Sequence, residues 1–254
     1  MTNTEEQLRG LRAAAPNSVT DGTLLGTGLA DGYAPFDSPL GEVIVSFNLA
    51  GVSSVDLPDE DPESRFAVRF GRRMIPARPP RGWEAKINRA IERGTPGDLP
   101  VDLRSVTPFR RAVLEMTAAI PRGQVRSYGW LAVQVGNEGA TRAVGSTMAS
   151  NPVPLIVPCH RVVRADGTLG NYSLGGPENK RELLAREGTD PDWLESLAGR
   201  GVRYVGSDTT HVVCHPTCSH ARRITASHRV EFGDLSDATS AGFRPCQVCR
   251  PVMS

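Results

Sequence analysis

Four of the five cysteines in this 254-residue chain fall within its last 41 residues. Cys214 and Cys218 are separated by three residues, Cys246 and Cys249 by two, and 27 residues lie between the pairs. Two close cysteine pairs in a short polar stretch form a framework for tetrahedral Zn²⁺, with Zn–S bonds of about 2.3 Å. A segment of about 50 residues has too little apolar surface for a secure core, and a bound metal supplies the missing free energy. His215 is a possible substitute ligand. The first ten residues carry two glutamates and no apolar run, so no secretory leader is visible and a reducing compartment is expected. Under those conditions thiols bind metal or react rather than form disulfides.

The remaining chain is long enough for one or two compact units with cores of their own. Hydrophobic residues make up 39% of it, yet no apolar run approaches the roughly 20 residues that span a bilayer, so no membrane association is expected. Net charge is +1, which excludes a strongly basic coat protein or an acidic tail. The balance is uneven, however. Residues 101–188 hold 11 basic and 7 acidic side chains, whereas residues 1–100 hold 11 and 14. A cationic middle segment is either a solvated face or a nucleic-acid face.

Five segments are expected. Residues 1–19 read as a flexible polar tail. Residues 20–100 read as a small α/β unit: Val43, Val45 and Phe47 alternate as in a strand, Asn48 to Gly51 can turn, and Val52 to Leu57 can return. The pairs Phe66/Phe70 and Ile87/Ile91 suggest two short helices either side of a Pro-rich connection, Pro76 to Gly82. Residues 101–188 read as helical. Thr107-Pro108 suits a helix start, a second helix begins near Ser127, Gly136 to Gly139 breaks it, and Val144 and Met148 resume it. Helix, short turn, helix is the arrangement of a DNA-binding helix-turn-helix and of any helical hairpin. A last helix covers residues 178–187, with Gly188 ending it. Residues 189–201 read as a linker, and residues 202–254 as the zinc module. No internal repeat is apparent.

The fifth cysteine lies in Asn151-Pro-Val-Pro-Leu-Ile-Val-Pro-Cys159-His160-Arg161-Val162. A free cysteine after an apolar run is either a buried structural residue or a nucleophile, and the second role needs a thiol pKa lowered by a nearby imidazole and cations. The motifs around it decide more. Arg126-Ser127-Tyr128, Arg142-Ala143-Val144-Gly145, Asn151-Pro152-Val153-Pro154, Pro158-Cys159-His160-Arg161-Val162, Gly170-Asn171-Tyr172-Ser173 and Glu187-Gly188 occur in that order. With them, residues 101–188 closely resemble the O6-alkylguanine-DNA alkyltransferases. Residues 20–100 resemble that family's variable N-terminal domain loosely, through Asp37-Ser38-Pro39-Leu40-Gly41.

The resemblance implies an α+β protein: a small N-terminal α/β domain of ribonuclease-H-like fold, a helical helix-turn-helix active-site domain, and the C-terminal zinc module. It implies that Cys159 accepts the alkyl group, that His160 takes the thiol proton through a bound water, and that Glu187 orients His160. Tyr128 matches the phenol that hydrogen-bonds guanine N3. Ser173 lies where the family bonds O6, with Tyr172 in the pocket wall, and Pro154 and Val162 belong to the base pocket. The carbonyls of Cys159 and Val162 would accept the guanine amino group. Asn151 matches a buried bracing residue. Arg142 matches the arginine that enters the base stack, and Arg126 is expected at the DNA.

The tail, from Tyr204 to Pro251, resembles the zinc domain of Ada-type adaptive-response proteins, in which the first ligand cysteine also accepts a methyl from DNA methylphosphotriesters. By match that residue is Cys214. A tetrathiolate zinc centre is anionic, so it repels a phosphodiester but not a neutral triester, and Arg222, Arg223 and Arg244 could hold neighbouring phosphates. Here the domain follows the transferase segment, the reverse of the usual order, and the regulatory region that usually follows it is absent.

The expected function is therefore single-turnover repair of O6-alkylguanine in double-stranded DNA. The expected protein is a cytoplasmic or nucleoid monomer that uses Zn²⁺ and no organic cofactor. A non-enzymatic lesion binder and a zinc-dependent DNA-binding regulator are the alternatives. Presence of Cys159 weighs against the first, and the lack of a second helix-turn-helix outside residues 128–150 weighs against the other.

Overall fold

A computed structural model describes residues 17–251. Most of the expected tail, residues 1–16, lies outside the described residues, and its last part does not behave as a tail. Asn17–Val19 open helix α1 (Asn17–Thr27), which leads into the first strand.

The N-terminal sheet has the order β3-β2-β1-β4. Strands β1 (Ala30–Ser38), β2 (Gly41–Asn48) and β3 (Gly51–Asp56) form an antiparallel meander, and β4 (Arg73–Pro76) pairs parallel with β1. Alternation at Val43, Val45 and Phe47 produces β2, whose inward side chains are buried. Helix α2 (Pro62–Phe70) is capped by Asp61, with Pro62 in its first turn. Helix α3 (Trp83–Arg93) buries Ile87 and Ile91 against the sheet and stops at Gly94, which is left-handed at φ 61°. Strand β4 was not expected; it lies between α2 and the Pro-rich connection and shares only Pro76 with it.

Helix α4 (Pro108–Ala118) starts as expected, the Thr107 side chain accepting from the Arg110 amide. A two-residue strand, β5 (Arg126–Ser127), pairs parallel with β6 (Val162–Val163). Ser127 caps α5 (Tyr128–Gln134), and a short 3-10 turn leads into α6 (Thr141–Ala149). These two helices form the expected hairpin. Helix α7 (Gly176–Arg186) buries Lys180, Leu183 and Leu184.

The segments expected as two units, 20–100 and 101–188, share one continuous core. Val43, Val55 and Ile87 from the first belong to the same buried cluster as Leu114, Leu131, Val144, Ile156 and Cys159 from the second. At roughly 25 cal/mol per Å² of apolar area, such a shared face makes the two segments fold as one body.

The expected linker is not a loose connection. Asp190 caps, and Pro191 opens, helix α8 (Pro191–Gly199), which buries Leu194 and Leu197. Leu194 joins Val125, Val163, Leu169 and Leu184 of the helical segment. Leu197 joins Val202, Val205 and the cysteines. Trp193 packs against both groups.

The tail folds into a second sheet of order β10-β8-β7-β9, with β7 (Tyr204–Ser207), β8 (Val212–Cys214), β9 (Arg229–Phe232) and β10 (Arg244–Pro245). A short helix, α9 (Leu235–Ser240), packs beside it. Among the described residues no helix is long and apolar enough to cross a membrane.

Candidate active site and metal centre

Cys159 and His160 sit in a 3-10 turn directly before β6, after a proline-punctuated segment that packs into the core. In that segment Leu155 is buried with φ 70°, an uncommon angle for a branched side chain, so the backbone beside the nucleophile is held by its packing. The Cys159 residue is only 3% exposed. Its Sγ accepts a hydrogen bond from Asn151 Nδ2 at 3.2 Å and lies 4.0 Å from Ser173 Oγ. Asn151 is itself fixed, since its amide also donates to the Val157 carbonyl at 2.8 Å and its Oδ1 accepts from the Val153 amide.

Sequence reasoning asked for a lowered thiol pKa, and here the structure differs. Burial pushes the Cys159 thiol up, and the Asn151 hydrogen bond, the Lys180 cation and Ser173 pull against it without reversing it. The resting group is a thiol that must lose its proton when substrate arrives.

His160 supplies the route. Its Nε2 lies 3.1 Å from Glu187 Oε1. The Glu187 carboxylate only accepts, so Nε2 carries the hydrogen and Nδ1 carries the basic lone pair. Nδ1 is buried and has no partner among the described residues. Burial holds the imidazole below its ordinary pKa, opposed by Glu187, so the ring is neutral at rest and able to take a proton.

Glu187 is anchored from the other side by a residue that sequence reasoning passed over. Arg161 is 1% exposed and binds Glu187 through Nε at 2.8 Å and Nη2 at 2.7 Å. Its remaining donors reach the carbonyls of Gly94 (2.8 Å), Ile120 (2.7 Å) and Arg93 (2.8 Å). Burial pushes the Glu187 carboxyl up, but the hydrogen bonds and charges of His160 and Arg161 outweigh it and hold it at about 2. Two glycines make room for this arrangement. A Cβ at Gly94 would strike the Arg161 guanidinium, and one at Gly123 would lie 2.5 Å from the Glu187 carbonyl oxygen.

Lys180 is the second residue that was missed. It is 1% exposed, donates to the Val162 carbonyl at 2.6 Å, and lies 6.0 Å from the centre of the Tyr128 ring. Burial lowers it to about 8, and the Cys159 charge acts in the opposite direction. The only sequence signal was a lysine on the inward stripe of α7, where an apolar residue is usual.

Beyond Ser173, whose Oγ lies 4.0 Å from the sulfur, opens a cavity of about 550 Å³, lined by Tyr128, Arg142, Met148, Gly170, Tyr172 and Ser173 among others. Of the expected substrate residues, Tyr128, Tyr172 and Ser173 line it. Pro154 and Val162 are buried behind that wall, and the Val162 carbonyl is already engaged by Lys180. The Cys159 carbonyl accepts from the Val162 amide. Burial raises the phenols of Tyr128 and Tyr172, so both stay protonated hydrogen-bond donors near neutral pH.

Arg142 stands exposed in the first turn of α6, at the rim of the cavity. The same face carries Gly145 and Ala149, small enough to let a partner's backbone approach. Arg126, expected at the DNA, is elsewhere. It donates to the Val125 carbonyl at 2.9 Å and Gln124 Oε1 at 2.7 Å, and stacks 5.2 Å from the Trp130 ring centre. Burial lowers its pKa, and the charges of Cys218 and Cys249 oppose that. Its guanidinium is engaged by its own segment, on the Val125 carbonyl, Gln124 and the Trp130 ring.

The four tail cysteines converge, their sulfurs all within 4.8 Å of one another. Tetrahedral coordination at about 2.3 Å puts sulfurs about 3.8 Å apart, so the arrangement fits Zn²⁺. Cys214, Cys218 and Cys246 are buried and Cys249 is half-buried. Amide donors support the set: His215 to Cys249 and Val248 to Cys246, each at 3.4 Å. His215 is not in the cluster. Its ring stacks on Tyr204 at 5.1 Å.

Comparison with known proteins agrees with both centres. Residues 108–189 match the model of the DNA-binding domain of 6-O-methylguanine DNA methyltransferase, and residues 198–252 match that of the metal-binding domain of Ada. The methylated-DNA–protein-cysteine methyltransferase of Salmonella typhimurium is 51% identical over 82 residues, 32% of this chain and 47% of that protein. The bifunctional transcriptional activator/DNA repair enzyme Ada of Escherichia coli is 35% identical over 170 residues, 64% of this chain and 47% of its own length. The chain thus spans about half the length of these curated relatives. A crystal structure of a Mycobacterium tuberculosis OGT variant superposes with a TM-score of 0.51 at 34% identity, covering 62% of this chain and 92% of that one. The four cysteines are accordingly a Zn²⁺ site.

Proposed function

The chain belongs to the O6-alkylguanine-DNA alkyltransferase (methylated-DNA–protein-cysteine methyltransferase) family, and on that footing we propose that it repairs O6-alkylguanine in duplex DNA by moving the alkyl group onto Cys159. One observation carries the reading. A sulfur held by Asn151 lies 4.0 Å from Ser173, in the wall of a cavity large enough to admit a purine, and the residue after it is an imidazole whose Nε2 is fixed by a buried carboxylate.

The chemistry runs as an SN2 displacement. His160 Nδ1 takes the thiol proton through solvent, and Glu187 stabilises the imidazolium. The Lys180 cation and the Asn151 amide stabilise the thiolate. Sulfur attacks the alkyl carbon, the S–C bond forms, and the C–O6 bond breaks. Tyr128 donates to N3 and Ser173 to O6, so charge on the departing guanine is neutralised as it develops. The thiol proton ends on guanine and the alkyl group on sulfur. The thioether is stable, so each molecule acts once.

A base inside a duplex must first be turned out, at a cost of a few kcal/mol. Arg142, at the cavity rim, is placed to fill the gap and offset part of that cost. Helix α6 then lies in the minor groove, where sequence is poorly read, which suits a lesion that occurs anywhere. Alkylated double-stranded DNA is the partner and a monomer the working form, acting where DNA is, in the cytoplasm or nucleoid. We read residues 20–188 as one transferase body whose 20–100 and 101–188 segments share a core, 202–254 as the zinc module, and 189–201 as a structured joint between them. The meander with a parallel fourth strand supports a ribonuclease-H-like reading of the first segment.

A second methyl acceptor at Cys214 rests on the tail's likeness to the Ada metal-binding domain. Among the described hydrogen bonds no backbone amide reaches Cys214, in contrast to Cys246 and Cys249, which leaves its sulfur the richer in electron density. It is 1% exposed, so a phosphotriester must displace part of its cover.

Mass mapping reads both acceptors at once. A duplex with O6-methylguanine is expected to leave one methyl on the Cys159 peptide, and a methylphosphotriester duplex one on the Cys214 peptide. An unmodified Cys159 peptide with the lesion intact rejects the transfer reaction, and an unmodified Cys214 peptide reduces the tail to a structural module.

A further inference from the structure

Helix α8 has two working faces. Leu194 packs on Val125 and Val163, the residues that back the β5–β6 pair, and Leu197 packs on Cys214, Cys218 and Cys246. Trp193 touches both groups, and Arg229 of the zinc module lies over its ring at 4.8 Å. Ion pairs from Arg181 of α7 to Asp192 and Glu195 hold the helix down on the transferase side. Gly167 permits the close approach: a Cβ there would lie 3.1 Å from the Leu194 carbonyl oxygen. The β5–β6 pair is short, only two residues long, and it leads directly into Tyr128 on one strand and carries Val162 on the other. So short a pair has little stability of its own and depends on what backs it.

We propose that the zinc module is docked on the transferase through α8, so that metal binding in the tail sets the rigidity of the β5–β6 strand and of the Tyr128 side of the pocket. This rests on the reading of the four cysteines as a zinc site. Charge supports the geometry. A tetrathiolate zinc centre is anionic, and Arg126 and Arg222 are both close enough to feel Cys218. The Arg126 guanidinium is fixed on Trp130 of α5 at the same time. The centre therefore acts as counter-charge to a β5 side chain that rests on the first helix of the pair. When the metal leaves, the module loses its main source of folding free energy. Leu197, Trp193 and Arg126 lose their partners together, and the backing of β5–β6 loosens.

Amide hydrogen exchange on the full chain tests this without reference to repair activity. The wild-type protein is compared as isolated, after removal of zinc with a chelator, and after zinc is added back. Exchange in residues 125–131 and 162–163 is expected to rise about tenfold on removal, the factor for 1.4 kcal/mol of lost local stability, and to return on re-addition. Residues 83–93 of α3, remote from the module, are expected to stay unchanged. Arg126→Met is expected to exchange faster than wild type at 125–131 even when loaded, and Arg126→Lys to keep most of the protection. If exchange changes only within 204–250, the zinc reading stands and the docking inference falls. A chain isolated without zinc, which takes up none, removes the zinc reading and the inference with it.

Discussion

The buried ammonium of Lys180 makes a sharp test of the electrostatics around the nucleophile. In Lys180→Met the aliphatic stem stays and the charge goes. Folding takes Lys180 from an ordinary value of 10.5 to about 8 because burial penalises its cation. The unfolded chain therefore holds this proton more tightly than the native one, and stability rises with pH between the two values. The full shift is worth about 3 kcal/mol at 1.36 kcal/mol per unit. Between pH 7 and pH 10 the wild type should gain about 2.5 kcal/mol relative to the variant, which lacks this ammonium. The Cys159 thiol adds to this difference with the same sign, since without the cation its raised pKa climbs further. Urea unfolding of both proteins in half-unit pH steps reads the gap directly. Lys180→Arg, charged throughout, should resemble the methionine variant in lacking the rise. In the same series, alkyl transfer at pH 7 should slow by about tenfold or more in Lys180→Met, because the thiolate loses the charge that faces it. A stability gap that stays flat or narrows from pH 7 to 10 would show that the ammonium is not held in a water-poor site, and the account of thiolate stabilisation would fall with it.

Glu187→Gln leaves Arg161 buried without a counter-charge, so stability at pH 7 should drop by about 3–5 kcal/mol. A loss under about 1 kcal/mol in denaturant unfolding would contradict the buried pairing. The carboxylate's own contribution is present above its unfolded value of 4.5 and is lost as pH falls toward about 2. Arg142→Ala should slow repair of duplex substrate more than reaction with the free alkylated base, because its work is in turning the base out. Equal losses on both substrates refute that role. Cys246→Ala should lose the one zinc per chain, and full metal retention by elemental analysis would overturn the ligand set.

Features written in short-range pattern were readable in the sequence. The cysteine spacing gave the cluster, the alternation at Val43, Val45 and Phe47 gave β2, and Thr107-Pro108 marked the start of α4. Helix α8 was passed over although Asp190-Pro191 is the same kind of start signal. Its polar, Asp-rich opening resembled a loop, and its apolar positions gain meaning only once two bodies meet there. Strand β4 was hidden because it is four residues long and ends in proline, tolerable only at a sheet edge. Arg161 and Lys180 were missed for a deeper reason. Charge in a sequence is read as surface, and what overrides that default is a set of carbonyls brought from distant segments. Arg126 shows the same limit in reverse, since its sign suggested DNA while its side chain is engaged by the Val125 carbonyl, Gln124 and the Trp130 ring. The state of the thiol also depends on depth, which no local motif encodes.

Arg161 grips the N-terminal half only by main-chain oxygens, those of Arg93 and Gly94 at the end of α3. Such oxygens look alike whatever side chains stand above them. The surface of the half that bears none of the reacting groups is therefore free to drift in composition, provided core positions such as Val43, Val55 and Ile87 keep their packing and its third helix ends at the same place with a residue that can turn left-handed. Grafting a foreign N-terminal half onto this catalytic half should succeed or fail on the length of that helix, and a single inserted residue there should disturb the carboxylate–imidazole pair more than wholesale replacement of the sheet's outer face.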